Sequence, residues 1–242
     1  MEKYLYIGAS NVGKSHTMLA LSKILSLLNK NVAVFDLTKS QGSYNYYNYN
    51  LEVESDRALS ELKPIIRDNV SIFVNNPNLN LEVDVNKIFK YDLKKFDYVF
   101  IEVDEESATK DLLSKVDKVF LIQNYDKDKL IKNNNLIKKL KVNGEKITFI
   151  FNQILESKFD KVYLIDMLME NLNNKVGLLN NGDVEIPFCE EDLILSSNNK
   201  VDGVLHLKDY SDEFKIAMFE LVSKVMEVDN KKFNKIMNGR RV

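Results

Sequence analysis

The chain has 242 residues, 45% of them hydrophobic and 29% charged, with a formal net charge of −2. That balance belongs to a globular domain with a sizeable core and gives no support for a nucleic-acid partner. The one cysteine, Cys189, excludes an intrachain disulfide and fits a reducing cytoplasm, and no apolar run approaches the ~18 residues that span a bilayer.

Tyr4–Ile7 reads as a short buried strand at the start of the chain, with no charged and apolar leader before it. Gly8-Ala9-Ser10-Asn11-Val12-Gly13-Lys14-Ser15 then fits G-x-x-x-x-G-K-[ST], the phosphate-binding P-loop. Met18, Leu21, Leu25 and Leu28 follow at helical spacing, so strand, glycine loop and helix stand in the order that makes the pattern a site. Gly8 and Gly13 let the backbone approach an anion. The N–H groups from Ser10 to Ser15 and the helix start point at phosphate oxygens, Lys14 adds a cation, and the Ser15 hydroxyl is offered to Mg²⁺. His16, one residue further, is expected in the nucleotide's surroundings as a surface or capping residue, not as a catalyst.

Further strands are expected at Val32–Phe35, Val70–Val74, Tyr98–Val103, Val119–Ile122, Ile147–Phe151 and Val184–Ile186. Amphipathic segments at Asp56–Arg67, Lys129–Leu140 and Lys161–Leu172 alternate with them. The pattern predicts an α/β fold, a mostly parallel seven- or eight-stranded sheet with helices on both faces. A last helix over Asp212–Glu227 closes a single domain, residues 1–228. Residues 229–242 read as a basic tail, with Lys231, Lys232, Lys235, Arg240 and Arg241 beside a short apolar stripe of Phe233, Ile236 and Met237. Ligands of such sheets sit beyond the carboxyl ends of the strands, which selects the P-loop, Asp36, Glu102, Asp104, Asn152 and Pro187.

At these positions the chain resembles the MinD/ParA family of P-loop ATPases nearly end to end. Asn31-Val32-Ala33-Val34-Phe35-Asp36 is similar to the family's second strand, and Tyr91–Glu102 to its Walker B strand. Val116–Ile122 resembles the next strand. Ile147–Asn152 resembles the strand whose terminal Asn reads adenine, and Ile186-Pro187-Phe188 with Glu190–Asn199, including Ser196-Ser197-Asn198, resembles the segment closing over the base.

The resemblance implies an ATP- and Mg²⁺-binding switch protein with weak hydrolysis. In it Lys14 contacts phosphates, Ser15, Asp36 and Glu102 hold the metal and its waters, and Asn152 and Pro187 frame adenine. It also implies a homodimer or protein partner and, through the tail, a weak peripheral membrane contact. The departures all fall at chemistry. Ala9 stands where the family carries a lysine that reaches across a dimer, Thr38 where a second aspartate polarises water, and Glu102 where Walker B has aspartate. Side-chain alternation leaves Glu102 and Asp104 both eligible as the metal-side carboxylate. Glu105 and Glu106 read as a solvated strand end, Cys189 as a small hydrophobe, and His206 as a residue without a role. Tyr44–Tyr49 reads as a partner- or dimer-facing surface. Two other functions stay open: a nucleotide-binding scaffold without turnover in an assembly such as a pilus or secretion apparatus, and a biosynthetic ligase of the same superfamily.

Overall fold

The computed structural model describes residues 1–46, 56–81, 85–155, 161–174 and 182–239. Eight strands form one sheet: β1 (Glu2–Ile7), β2 (Val32–Asp36), β3 (Ile65–Arg67), β4 (Val70–Phe73), β5 (Tyr98–Glu102), β6 (Lys118–Gln123), β7 (Ile147–Ile154) and β8 (Asp183–Pro187). Their spatial order is β3-β4-β2-β5-β1-β6-β7-β8, parallel throughout except for the β3–β4 pair.

The strand composition explains the layers. Alternate residues of each strand point to opposite faces. Tyr4, Tyr6, Val34, Phe100, Phe120, Ile122 and Ile150 therefore join one buried cluster, and Leu5, Ile7, Phe35, Ile101, Leu121, Phe149 and Phe151 the other. The first cluster is covered by α1 (Lys14–Leu27), whose Met18, Leu21 and Leu25 are wholly buried, with Leu28 just beyond it. The second is covered by α4 (Lys110–Ser114), α5 (Lys127–Leu140) and α6 (Lys161–Met169), with α2 (Ala58–Glu61) and α3 (Val85–Ile88) beside them. The other long helices are α7 (Glu190–Asp202), α8 (Asp212–Ser223) and α9 (Asn230–Met237).

Two expectations are corrected. The helix expected over Asp56–Arg67 ends after one turn. Pro64 disfavours helical geometry at Lys63, Leu62 turns left-handed at φ 54°, and Ile65–Arg67 pairs antiparallel with Val70–Ile72. The apolar stripe of the basic tail is not an exposed membrane face. Phe233, Ile236 and Met237 are buried at 1–3% exposure, with Phe233 edge-on to Phe219, so α9 completes the domain. Arg240 and Arg241 lie outside the described residues. Among the described residues no helix is long and apolar enough to cross a membrane.

Candidate functional site

The site is built by strand order. β5 lies between β1 and β2, so Glu102 is in register with both Tyr6 and Asp36. The P-loop after β1, Asp36 closing β2 and Glu102 closing β5 therefore meet at one edge of the sheet. Over them opens a cavity of about 320 Å³, within the size range of small-molecule sites.

Gly13 lies at φ 91°, and a Cβ there would fall 2.2 Å from Asn152 Nδ2, so only glycine fits. Asn152 Nδ2 donates to Val12 O at 2.9 Å, which ties the loop to the end of β7. Lys14 is buried, and its Nζ donates to Gly8 O (2.9 Å) and Ala9 O (2.8 Å). Burial pushes the Lys14 ammonium below its ordinary value, against the pull of Glu102, Asp104 and Asp36. Ser15 Oγ donates to Glu102 Oε1 at 2.9 Å. Glu102 Oε2 is buried with no hydrogen-bond partner. Burial, then Asp36, push this carboxyl up to about 8, opposed by Lys14 and Ser15.

The other acids are engaged. Asp36 Oδ1 accepts from Thr38 N (3.0 Å) and Thr38 Oγ1 (2.6 Å), and Oδ2 from Ser43 N (2.9 Å). Burial raises its pKa despite these donors. β5 ends at Glu102, so strand alternation does not carry on to Asp104. Asp104 Oδ1 accepts from Glu106 N, Ser107 N and Ser107 Oγ, and Oδ2 from Lys39 N. Burial alone would push Asp104 up, but these donors outweigh it and hold the carboxyl below its ordinary value. Of the two eligible carboxylates, Glu102 keeps a free oxygen and Asp104 does not.

A divalent cation is tested by that oxygen. An orphaned buried carboxylate oxygen beside a serine hydroxyl, with Asp36 in register, suits Mg²⁺. Among the described residues no cluster of three or more His, Cys, Asp or Glu could cage a metal by itself. Mg²⁺ characteristically takes one or two protein oxygens and completes its shell with phosphates and water, so the residues fit it.

Ser10, Asn11, His16, Asn152 and Pro187 all line the cavity, while Val12 is buried behind it. His16 is neither a surface nor a capping residue. Its half-buried ring packs among Tyr46, Tyr210 and Phe214, and Nε2 lies 2.7 Å from the Tyr210 hydroxyl. Burial, then Lys200, push its pKa down to about 4. Cys189 is half-buried at the cavity wall with its thiol on Glu191, Glu105 is half-buried, and Glu106 is exposed. Of the tyrosine run, Tyr46 is buried, Tyr44 is half-buried and donates to Asp56, and residues 47–49 lie outside the described residues.

Several site residues escaped sequence reasoning. Asn133 of α5 is wholly buried. Its Oδ1 accepts from Ala9 N (2.7 Å), and its Nδ2 donates to Ile122 O and Gln123 Oε1. The available signal was a polar residue on the helix face otherwise made of Leu130, Leu136, Ile137 and Leu140. Gly42 packs so closely that a Cβ would lie 2.5 Å from Ser15 Oγ. Gln153 reaches the cavity beside its neighbour Asn152 because the β7–β8 register shifts there and Gln153 turns to φ 57°.

Strand order, P-loop and cavity together define a P-loop nucleotide-binding fold. The structural neighbours are MinD/ParA-family ATPases. MinD from Pyrococcus horikoshii complexed with Mg-ADP superposes with a TM-score of 0.60 at 18% identity, covering 96% of this chain and 99% of that one. A ParA family ATPase from Chlorobium tepidum gives 0.62 at 16%, covering 91% and 98%. A chain of the MinC:MinD cell division protein complex from Aquifex aeolicus gives 0.62 at 13%, covering 95% and 98%. No protein-family model and no curated protein matches the sequence. The chain has the MinD/ParA fold.

Proposed function

We propose that this protein is a nucleotide-dependent switch that binds Mg-ATP and hydrolyses it slowly. The observation that carries the reading is the P-loop under an open cavity, with Glu102 Oε2 left without a partner beside the Ser15 hydroxyl. Backbone N–H groups at the start of α1 supply donors for phosphate oxygens, and Lys14 supplies a cation already lodged in the loop. Ser15 and Glu102 would hold the metal, with Asp36 behind them. Mg²⁺, when bound, would neutralise charge on the phosphates.

Slow turnover follows from which groups can take a proton from water. Asp36 and Asp104 spend their oxygens on donors of the protein, and Thr38 has no carboxylate. Ala9 is wholly buried and supplies no second cation. The same observations suit a nucleotide-binding scaffold without turnover, and phosphate release under saturating Mg-ATP separates the two. Self-association or a protein partner that responds to nucleotide belongs to this reading, and size-exclusion chromatography with and without AMPPNP tests it.

The primary experiment is calorimetry with Mg-ATP on wild type and Lys14→Ala. Binding by the wild type and loss by the variant are expected. Equal affinity for the two would defeat the reading.

A further inference from the structure

His16 follows the P-loop serine and lines the cavity, and its ring is fixed by a chain of hydrogen bonds whose polarity can be worked out from one end. The chain begins at a group of unambiguous sense. The backbone N–H of His206 can only donate, and it meets Asn199 Oδ1 at 3.3 Å. The Asn199 amide is thereby oriented, and its Nδ2, which also can only donate, meets the Tyr210 hydroxyl oxygen at 3.0 Å. Tyr210 must send its own hydrogen elsewhere. The His16 Nε2 atom lies 2.7 Å away, and the Ser196 hydroxyl, the other polar neighbour, acts on the phenol oxygen as a donor, as Asn199 does. An O–H donated to Nε2 makes that nitrogen the lone-pair atom of a neutral imidazole and puts the ring proton on Nδ1.

The relay is well placed to hold. Asn199 is wholly buried and Tyr210 is 2% exposed, so neither can readily exchange its partner for water. Tyr210 stacks on Phe214 with ring centroids 4.3 Å apart, and both rings pack on His16 at 5.5 and 5.6 Å. Nδ1 makes no hydrogen bond to any described residue. His16 stands in the first turn of α1 and lines the cavity, so the tautomer matters: a donor there attracts an anion and a lone pair repels it.

We propose that the His206–Asn199–Tyr210 chain holds His16 as the Nδ1–H tautomer, so that the residue behind Ser15 offers a hydrogen-bond donor to a phosphate oxygen of the bound nucleotide. Tyr210 and Asn199 are then positioning residues that act through His16. The ligand half of this inference rests on the nucleotide-binding reading; the tautomer half does not.

The chain has two histidines, so selective ¹⁵N labelling of histidine in the full-length protein yields two ring systems, with exposed His206 as an internal reference. Long-range ¹H–¹⁵N spectra of the free protein are expected to show His16 Nε2 as the pyridine-type nitrogen and Nδ1 as the pyrrole type. Ser196→Ala is expected to leave this pattern unchanged, and Tyr210→Phe to release His16 into the mixed tautomers of a solvated imidazole. A pyrrole-type Nε2 in the wild type, or a switch of tautomer in Ser196→Ala, would overturn the relay. With Mg-ATP, Tyr210→Phe is expected to bind about 3- to 10-fold more weakly than wild type, the worth of one hydrogen bond. Wild-type affinity in a Tyr210→Phe protein whose tautomer has changed would overturn the ligand half. A wild type that shows the tautomer and binds no ATP would defeat the nucleotide reading and support the relay.

Discussion

At the scale of single residues, the site is organised by donors that occupy acceptors. Thr38 illustrates this. It stands where the resemblance leads one to expect a water-polarising aspartate, but its hydroxyl and its N–H both serve Asp36, which is wholly buried. Thr38→Ala should therefore destabilise the free protein by about 1–3 kcal/mol, because a buried carboxylate loses a charge-assisted hydrogen bond. Denaturant unfolding without nucleotide measures it. Thr38→Asp, the substitution that restores the expected carboxylate, should destabilise the free protein at neutral pH as well, by setting a second carboxylate against Asp36 Oδ1. Mg-ATP should return part of that stability, and a thermal shift with and without ligand reads the difference. Ala9→Lys is similarly constrained. The Ala9 side chain is buried and its N–H is held by Asn133, so a lysine there must leave the core to reach any phosphate.

At the scale of elements, the β3–β4 hairpin and α9 show local chemistry setting the boundaries. Asp68 and Asn69 lie at φ 49° and 60° between the paired residues Arg67 and Val70, which is a two-residue turn with both central residues left-handed. Asn tolerates that conformation and alanine does not. Asn69→Ala should cost about 1 kcal/mol, while Asn69→Gly should be neutral within a few tenths. Paired thermal melts distinguish the two. In α9, Phe233 is 1% exposed, so Phe233→Ala should cost about 3–5 kcal/mol by opening a cavity in the core. Lys231 and Lys235 point outward, and their replacement by Gln should leave stability unchanged. A melt of Phe233→Ala coincident with wild type would show that α9 is not an integral part of the core.

At the scale of the whole molecule, the tyrosines set the alkaline limit. Burial pushes Tyr46 up to about 12 and drives Tyr4, Tyr6 and Tyr210 well above the ordinary phenol value. The unfolded chain releases these phenolic protons near pH 10, while the folded chain retains them. Stability therefore falls as pH rises above 10, by up to about 1.4 kcal/mol per pH unit for each group still protonated only in the folded state. The absorbance of ionised tyrosine should rise late and together with loss of helical circular dichroism. Full ionisation of the tyrosines in the folded protein near pH 10 would contradict the burial.

The seven parallel strands, the P-loop and its helix were legible in the sequence because each is a local signal: a short apolar run, a glycine spacing, a helical stripe. Asp36 and Glu102 were legible as strand ends, since a parallel sheet binds at that edge, whereas β7 runs two residues past Asn152. β3 could have been read from Pro64 and the Asp68-Asn69 turn, but amphipathic spacing alone favoured a helix. What only the tertiary structure decided are pairings across long sequence separations. Asn133 meets Ala9 from 124 residues away, and Asn152 meets Val12 from 140. Tyr210 meets His16 from 194. Which of Glu102 and Asp104 keeps an oxygen without a partner also belongs there, because it depends on which carboxylate the loops at Lys39 and Ser107 engage. A sequence states which side chains can donate and accept; the packing of the sheet decides which of them are left over for a ligand.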